Sequence, residues 1–336
     1  MLLSLCGVIS GCENFVDIAL YGEEKLDFLR TLSPFEHGIP SHDTLCNVFR
    51  ALDPEPFGRV FAAWAMGLGA QIKGNVVAID GKTSRGSKAG GETPLHLISA
   101  YCVELKTVLG QRVSAQKKNE IQDIPPLLDM LYLKGAIVTL DAMGCQREIA
   151  AKICEKKADY VLALKGNQGT LYEDVRMWFA QLDHENMPFH QTVDGDKGRI
   201  ETRIYHQSDD IGWLRERHSG WCNLNSIGRV VATREIAGKA TMQTRYFISS
   251  MALDPSRFGY AIRAHWAIEN SLHWVMDVTF RDDDSRVRKN QAPANFAIIK
   301  HAAMNYIKRL KDKRSLRMRR KIAGWNNQFL LKIIQG

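Results

Sequence analysis

Two aspartates, each placed directly after an apolar run, are the residues of this sequence best suited to chemistry. Asp80 follows the apolar residues 76–79, and Asp141 follows the apolar segment 136–140. Such runs predict buried strands, and the carboxyl ends of strands bring side chains to one edge of a sheet. Taken singly, each aspartate is better explained as a turn or helix cap. The repeated pattern favours a shared site, and paired carboxylate oxygens are ligands that Mg²⁺ prefers.

A third carboxylate is expected, because phosphodiester chemistry with two metal ions requires several acidic ligands. Glu269 is the candidate, since burying a glutamate without a partner is costly and its neighbours are apolar. These neighbours are Trp266, Ala267, Ile268 and Leu272. The alternative is a glutamate on a helix surface that pairs with His265 or His273.

A zinc site on the same helix is a rival hypothesis. His265, Glu269, His273 and Asp277 follow one another at intervals of four residues and would share one helix face. The two histidines, however, would stand roughly 12 Å apart along the helix axis. One zinc ion cannot readily take both of them as ligands, so we place this hypothesis last.

The elements that would position these acids change in type along the chain. Residues 1–70 have helical periodicity, with Ser41 or Asp43 as a predicted cap. A strand that ends at Asp80 and two alternating segments, 95–103 and 108–117, predict a three-stranded meander. A helix is then predicted to start at Pro125, before the strand that leads to Asp141.

After Asp141 the pattern alternates helix, strand and helix, which is typical of parallel βαβ units. The following region lacks helical periodicity and is predicted to be an inserted β-rich subdomain, and a long helical section comes after it. The predicted domains are a helical N-terminal region, a first core part, the β-rich insertion, a completing part with Glu269, and a basic C-terminal tail, over residues 1–70, 71–187, 188–250, 251–310 and 311–336.

Positive charge is concentrated near the end of the chain. The formal net charge is +8, and residues 300–321 hold ten Lys or Arg against one acid, Asp312. A local basic cluster predicts binding to a phosphate backbone, and the alternative is an ordinary solvated helix face. The seven cysteines are scattered and never spaced Cys-x-x-Cys, so neither a zinc ribbon nor a disulfide framework is indicated. No apolar run is long enough to span a membrane, and we expect a cytoplasmic protein with no membrane partner.

Several long segments resemble the DDE transposases of bacterial insertion sequences, in particular the ISAs-type group that includes the H-repeat-associated proteins. The matching segments include VVAIDGKTSRGS, IVTLDAMGCQREIA, ALKGNQ and HWAIENSLHWVMDVTFRDDDSRVRKNQAPANFAIIKHAAMN. The helical region and the end of the chain match too, with GIPSHDTLCNVFRALDP and AGWNNQFLLKII. The resemblance thus covers nearly the whole chain.

The resemblance implies an α/β fold with a ribonuclease H-like mixed sheet flanked by helices. It also implies an endonuclease that cuts double-stranded DNA at element ends and joins the freed 3′ hydroxyl to target DNA. Asp80, Asp141 and Glu269 match the three catalytic acids, which would bind Mg²⁺, with Mn²⁺ as a substitute. A homodimer is expected because an element has two ends, and no small-molecule cofactor is expected.

The predicted contacts to DNA are basic or polar residues near the acids and in the tail. They are Lys82, Arg85, Lys165, Arg286, Arg288, Asn290, Arg317, Arg319, Arg320 and Lys321. An ordinary surface position explains the basic residues near the acids equally well as a DNA contact does.

Two features depart from the family pattern. Many relatives carry Tyr, Arg, Glu and Lys where this helix has Ile262, His265, Glu269 and Met276, so the Arg and Lys roles do not carry over. Relatives also have helical sequence before the segment that starts here at Met1, so a shortened copy is expected. The alternatives are therefore an idle remnant that only binds DNA, or a host nuclease that cuts without joining.

Overall fold

One mixed sheet contains the strands of the computed structural model, which describes residues 1–68, 71–88, 93–114, 119–181, 187–196 and 198–336. Over these residues the strands are β1 (Val76–Thr83), β2 (His96–Cys102), β3 (Thr107–Ser114), β4 (Ile137–Leu140), β5 (Asp159–Leu164), β6 (Phe189–Asp196), β7 (Arg199–Ser208), β8 (Ser226–Ile236) and β9 (Lys239–Ser249).

Helices precede, separate and follow these strands. They are α1 (Leu2–Ile9), α2 (Phe15–Glu24), α3 (Leu26–Arg30), α4 (His42–Ala51), α5 (Pro54–Gly67), α6 (Glu120–Asp129), α7 (Arg147–Glu155), α8 (Gly169–Gln181), α9 (Gly212–Arg217), α10 (Pro255–Ile268), α11 (Trp274–Val278), α12 (Ala292–Arg309), α13 (Leu316–Trp325) and α14 (Asn327–Gln335). A π-helical turn, Glu269–His273, joins α10 to α11.

The strand order is β3-β2-β1-β4-β5-β9-β8-β7-β6. Strands β2 and β3 are antiparallel, whereas β4 runs parallel to both β1 and β5. A meander followed by parallel strands is the arrangement of a ribonuclease H-like core, and the predicted fold class is confirmed. Residues 115–117 of the predicted third strand lie outside the described residues.

The chain forms two compact units. The first unit comprises Met1–Ala70, Gly81–Asp123 and Ile268–Gly336. Its helix α12 is buried along most of its length, and an aromatic cluster of Phe15, Phe49 and Phe296 contributes to the core. In α4, Ser41 is the cap, since its Oγ accepts a hydrogen bond from the Thr44 N–H at 3.2 Å.

The second unit comprises Gln71–Asp80 and Ile124–Ala267. Residues 76–79 and 137–140 are all buried, as the apolar runs predict for central parallel strands. The predicted β-rich insertion contains β6 to β9, and its last strand pairs with β5 in antiparallel fashion. The two units divide the chain differently from the predicted domain boundaries, which stay a prediction.

Two expectations about individual elements were wrong. Strand β1 continues past Asp80 to Thr83. Helix α6 begins at Glu120, so Pro125 lies inside it, and the acidic side chains of Glu120 and Asp123 favour that earlier start. The predicted basic tail contains α13 and α14, because apolar residues such as Leu330 and Ile333 recur at helical spacing and are buried. Within the described part of the chain, none of the helices could cross a membrane.

Candidate active site

Asp80 lies within β1, and Asp141 directly follows β4, the parallel neighbour of β1 in the second unit. The register pairs Ala78 of β1 with Thr139 of β4, and each aspartate lies two residues further along the chain. Adjacent strands are about 4.8 Å apart, so the two aspartates occupy corresponding positions along neighbouring segments of the chain.

The Asp141 carboxylate also organises the turn that follows β4. Its Oδ1 accepts hydrogen bonds from the backbone N–H of Met143 at 2.9 Å and of Gly144 at 3.2 Å. This is the turn-capping role that each aspartate could have had by itself. The same contacts use only Oδ1, and no described side chain or backbone group donates to Oδ2. The capping role therefore leaves one carboxylate oxygen for a ligand.

His265 of α10 packs on the same face of the sheet. Its Nδ1 lies 3.0 Å from the Thr139 hydroxyl, two residues before Asp141. Burial lowers the pKa of His265, against a smaller opposing effect of the Asp141 carboxylate. The ring is therefore neutral at neutral pH and fixes α10 on β4 without adding positive charge near Asp141.

Glu269 begins the π-helical turn in the first unit, directly after α10 ends at Ile268. Its side chain is 62% exposed, and its Oε2 lies 3.8 Å from Nδ1 of His273. The expectation that apolar neighbours bury Glu269 was wrong, because Ile268 and Leu272 turn inward while Glu269 faces solvent. This local environment is that of the alternative hypothesis, in which Glu269 lies on the helix surface and pairs with His273.

The zinc hypothesis required His265, Glu269, His273 and Asp277 on one continuous helix face. The π-helical turn interrupts the regular four-residue spacing between the first and the last of them. His265 is engaged by Thr139, and Asp277 lies 2.6 Å from the Lys82 ammonium. The outer two residues therefore have other partners, and the hypothesis is not supported.

Gly81, the residue after Asp80, leaves room for a buried polar pair in the first unit. The His96 Nε2 lies 2.5 Å from the Glu120 carboxylate, and its Nδ1 lies 2.8 Å from the Thr83 hydroxyl. A Cβ at position 81 would lie 2.5 Å from Glu120 Oε1 and 2.6 Å from His96 Nε2. The apolar run thus ends before Gly81 because β1 there packs against the polar side chains of His96 and Glu120.

We expect Gly81→Ala to lower the free energy of unfolding by about 1–3 kcal/mol, because overpacking must displace the buried His96–Glu120 pair. Urea denaturation measures this change. The matched control is Gly67→Ala at the end of α5, where an added Cβ meets nothing within 4 Å. If Gly81→Ala and Gly67→Ala are equally stable, the His96–Glu120 pair can move aside without a loss of stability, and the expectation is wrong.

Lys82 lies in a buried cluster of charges and not at a free surface. Its side chain is only 13% exposed, and its ammonium lies 2.6 Å from Asp277, 3.7 Å from Asp282 and 3.4 Å from Asp283. Burial would lower its pKa, but the hydrogen bond to Asp277 and the carboxylate charges outweigh burial and raise it. The prediction that Lys82 contacts DNA does not fit this position.

Two acids of this cluster, Asp282 and Asp283, were missed as candidates in the sequence. Asp282 is 6% exposed and receives hydrogen bonds from Lys300 at 2.8 Å and from the Ser84 hydroxyl at 2.5 Å. Gly86 belongs to the same junction, since a Cβ there would lie 2.3 Å from the Asp283 carbonyl oxygen. The signal was the run of three aspartates, residues 282–284, next to an apolar residue, Phe280, that is buried.

The predicted DNA contacts divide into exposed and internal groups. The exposed group contains Arg85, Lys165, Arg286, Asn290, Arg317 and Lys321. Arg288 is half-buried and donates to the Gly86 carbonyl at 2.8 Å. Lys165 follows β5, the strand next to β4, so it lies near the Asp141 edge of the sheet.

Arg319 and Arg320 serve the fold instead of a DNA surface. Arg319 donates to the carbonyl oxygens of Ile307 and Leu310, both at 3.0 Å. Arg320 is 5% exposed, stacks 4.4 Å above the Phe280 ring and donates to the Val8 carbonyl. Helix packing turns this side of α13 inward, so the predicted DNA contacts of these two residues, which stay a prediction, do not fit their positions.

Comparison with known proteins places this chain in a family. Residues 72–306 match the family model described as "Transposase DDE domain", and residues 1–65 match the one described as "DDE_Tnp_1-associated". "H repeat-associated putative transposase YhhI" of Escherichia coli K12 is 38% identical over 346 residues, which cover 100% of this chain and 91% of the relative. "Putative transposase YncI" of E. coli O157:H7 is 36% identical over 342 residues, covering 99% and 88%.

Among solved structures, a piggyBac transposase synaptic complex with hairpin DNA is 12% identical, with a TM-score of 0.43 over 100% of this chain and 71% of that chain. The family assignment depends on the sequence matches, which extend over more than two thirds of the chain and include Asp80, Asp141 and Glu269. The chain belongs to the DDE transposase family.

Proposed function

We propose that this chain is a transposase that cleaves DNA at the ends of an insertion sequence and joins the freed strand to target DNA. The observation that carries the proposal is the register of β1 and β4, in which Asp80 and Asp141 each lie two residues after the pair Ala78 and Thr139 on neighbouring parallel strands. Family membership supports a catalytic role for these two positions.

Glu269 is proposed as the third acid because it matches the family's glutamate and lies within residues 72–306, which the family model covers. Its side chain is 62% exposed, so its carboxylate is open to a ligand.

The donor set fits a divalent ion such as Mg²⁺, with Mn²⁺ as a substitute, because all three side chains offer hard oxygen ligands. When bound, such an ion polarises the scissile phosphate and lowers the pKa of the attacking water or terminal hydroxyl. In this proposal Asp80, Asp141 and Glu269 would hold the ion, and Asp141 would keep its Oδ1 bonds to the turn that follows β4.

The DNA backbone is proposed to contact the exposed basic residues of each unit. These are Lys165 near the Asp141 edge, Arg85, Arg286, Arg317 and Lys321, with Asn290 as a neutral donor. Arg85 is the strongest candidate on the β1 side because its side chain is 86% exposed. We propose that two copies bind together, since an element presents two ends.

We expect Arg85→Ala and Lys165→Ala each to weaken binding to any DNA and to reduce the slope of log K against log salt by about 1, because each removes one phosphate contact. Fluorescence anisotropy over a salt series measures the slope. Lys152→Ala is the control, since Lys152 already pairs with Asp129 and Glu155. If all three variants behave alike, the surface assignment fails.

The function itself is tested by incubating the protein and Mg²⁺ with DNA that carries the sequences flanking its gene, and by resolving cut and joined strands on a denaturing gel. Cleavage together with joining supports the transposase. Cutting without joining would instead identify a nuclease. Binding that weakens with salt, without any cutting, would identify a remnant that only binds DNA.

A further inference from the structure

Lys308 of α12 directs its ammonium toward the π-helical turn that carries Glu269. The Nζ atom donates to the Ser271 carbonyl oxygen at 2.7 Å and to the Tyr101 hydroxyl at 3.1 Å. It also lies 5.0 Å from the centroid of the Tyr101 ring, which itself is fully buried. All of these groups belong to the first unit.

An ammonium in this position has no carboxylate partner among the described residues. Burial lowers the pKa of Lys308 to about 7, with a smaller contribution from the charge of Lys106. A lysine held without a counter-ion is costly, and a methionine or leucine would cover the Tyr101 ring at lower cost. The specific contacts that remain to explain the lysine are its hydrogen bonds to the Ser271 carbonyl oxygen and to the Tyr101 hydroxyl, and the bond to Ser271 is the shorter.

Ser271 is the middle residue of the Glu269–His273 turn. In this turn the Trp274 N–H donates to the Glu269 carbonyl, the i to i+5 bond of a π helix. π-helical turns are rare and less favourable than α-helix, and they occur at functional sites. A hydrogen-bond donor held on a carbonyl in the middle of the turn stabilises this local backbone against reverting to regular α-helix, and the Lys308 amine donates in both its protonated and its neutral form.

Any reversion would rotate Glu269 relative to the helix that follows it. A regular α-helix advances about 100° per residue, so the loss of the extra residue in a π-helical turn turns one flank against the other by roughly that angle. The direction in which Glu269 points therefore depends on whether the turn is kept.

We propose that Lys308 is a positioning residue for Glu269, which it orients by holding the Ser271 carbonyl of the π-helical turn. This inference rests on the proposed role of Glu269 as a metal ligand. Lys308 touches neither the scissile DNA nor the ion in this proposal, and it acts only through the backbone of residues 269–273.

The test compares Lys308→Met with two controls in the full-length protein. Tyr101→Phe removes the Tyr101 hydroxyl, which contacts both Lys308 and Ser271, but keeps the bond from Lys308 to the Ser271 carbonyl oxygen. Asn305→Ala, one turn earlier on α12, removes the buried bonds to the Val108 backbone and destabilises the unit without touching the turn. Glu269→Ala reports what loss of the ligand does to metal binding.

The first measurement is hydrogen–deuterium exchange of the backbone amides of residues 269–275. We expect faster exchange in Lys308→Met and a smaller acceleration in Tyr101→Phe, which keeps the Lys308 bond to the Ser271 carbonyl oxygen. The second measurement is Mn²⁺ affinity by electron paramagnetic resonance. Loss of a group that orients a ligand weakens metal binding about 10–100-fold, which we expect for Lys308→Met, whereas Asn305→Ala stays close to wild type.

Each result decides a separate question. Unchanged exchange in Lys308→Met overturns the inference without involving any metal. If Glu269→Ala abolishes Mn²⁺ binding while Lys308→Met retains it, the positioning role is wrong and the proposed active site stands. If Mn²⁺ binds equally well to the wild type and to Glu269→Ala, the proposed metal site is wrong and the inference falls with it.

Discussion

Single replacements of Asp80, Asp141 and Glu269 by alanine are expected to reduce strand cleavage and joining by roughly 10³-fold or more, because residues that act as one catalytic unit fail together. Each variant removes a ligand from the proposed ion, and the two remaining carboxylates cannot complete its coordination. Single-turnover assays on DNA that carries the element ends, at saturating Mg²⁺, measure the loss.

Asp141→Asn separates the two roles of that side chain. An asparagine keeps an oxygen that accepts the Met143 and Gly144 N–H groups, so the turn after β4 is retained while the charge is lost. A structural role predicts an active Asp141→Asn enzyme, whereas metal binding predicts an inactive one. Asp159→Asn is the control, because Asp159 lies at the start of β5, at the other end of the strand, where it bonds Ser250.

The largest loss of stability is expected for Asp282→Asn. This variant leaves the ammonium of Lys300, which is 2% exposed, without its carboxylate partner. Breaking a buried ion pair from one side costs about 3–5 kcal/mol, because the remaining charge has neither water nor a counter-ion. Urea denaturation at pH 7 measures the change in the free energy of unfolding.

At acidic pH, the free energies of unfolding of Asp282→Asn and of the wild type should differ less than at pH 7. Burial would raise the pKa of Asp282, but the charge of Lys300 and its hydrogen bond outweigh burial and lower it. A lowered folded-state pKa means that the stabilisation is fully present above the unfolded value of about 3.9 and is lost as pH falls toward the folded value. The stability gap between wild type and variant should therefore narrow below about pH 4.

Two further variants test the origin of the effect. Asp282→Leu combined with Lys300→Met removes both charges and should recover much of the stability lost by Asp282→Asn. Asp284→Asn changes the exposed neighbour, which pairs only with Arg281 among the described residues, and should have little effect. A large loss in Asp284→Asn would show that net charge, and not the buried pair, governs stability here.

Much of the sheet could be predicted from local pattern. The apolar runs before Asp80 and Asp141, with turn residues after them, determine buried parallel strands because only a sheet covered on both faces accepts them. The same pattern locates both aspartates at the ends of those runs. The helical regions and the β-rich segments follow from periodicity in the same way.

The environment of individual charges could not be predicted in this way. Lys82, Arg319 and Arg320 look like surface residues in a basic sequence, yet each donates to groups inside the protein. Glu269 looks buried by its neighbours and is exposed. For Lys82 and Arg320 a partner distant in the chain decides the environment, Asp282 for Lys82 and Val8 for Arg320.

The amino-acid sequence by itself determined the family, the order of the elements and the two aspartates at the ends of apolar runs, because these depend on residues close together in the chain. Only the tertiary structure decided the register of β1 and β4, the π-helical turn and the buried network around Asp282. Those features depend on which distant groups meet, and the cost of leaving a buried charge or carbonyl without a partner selects one arrangement.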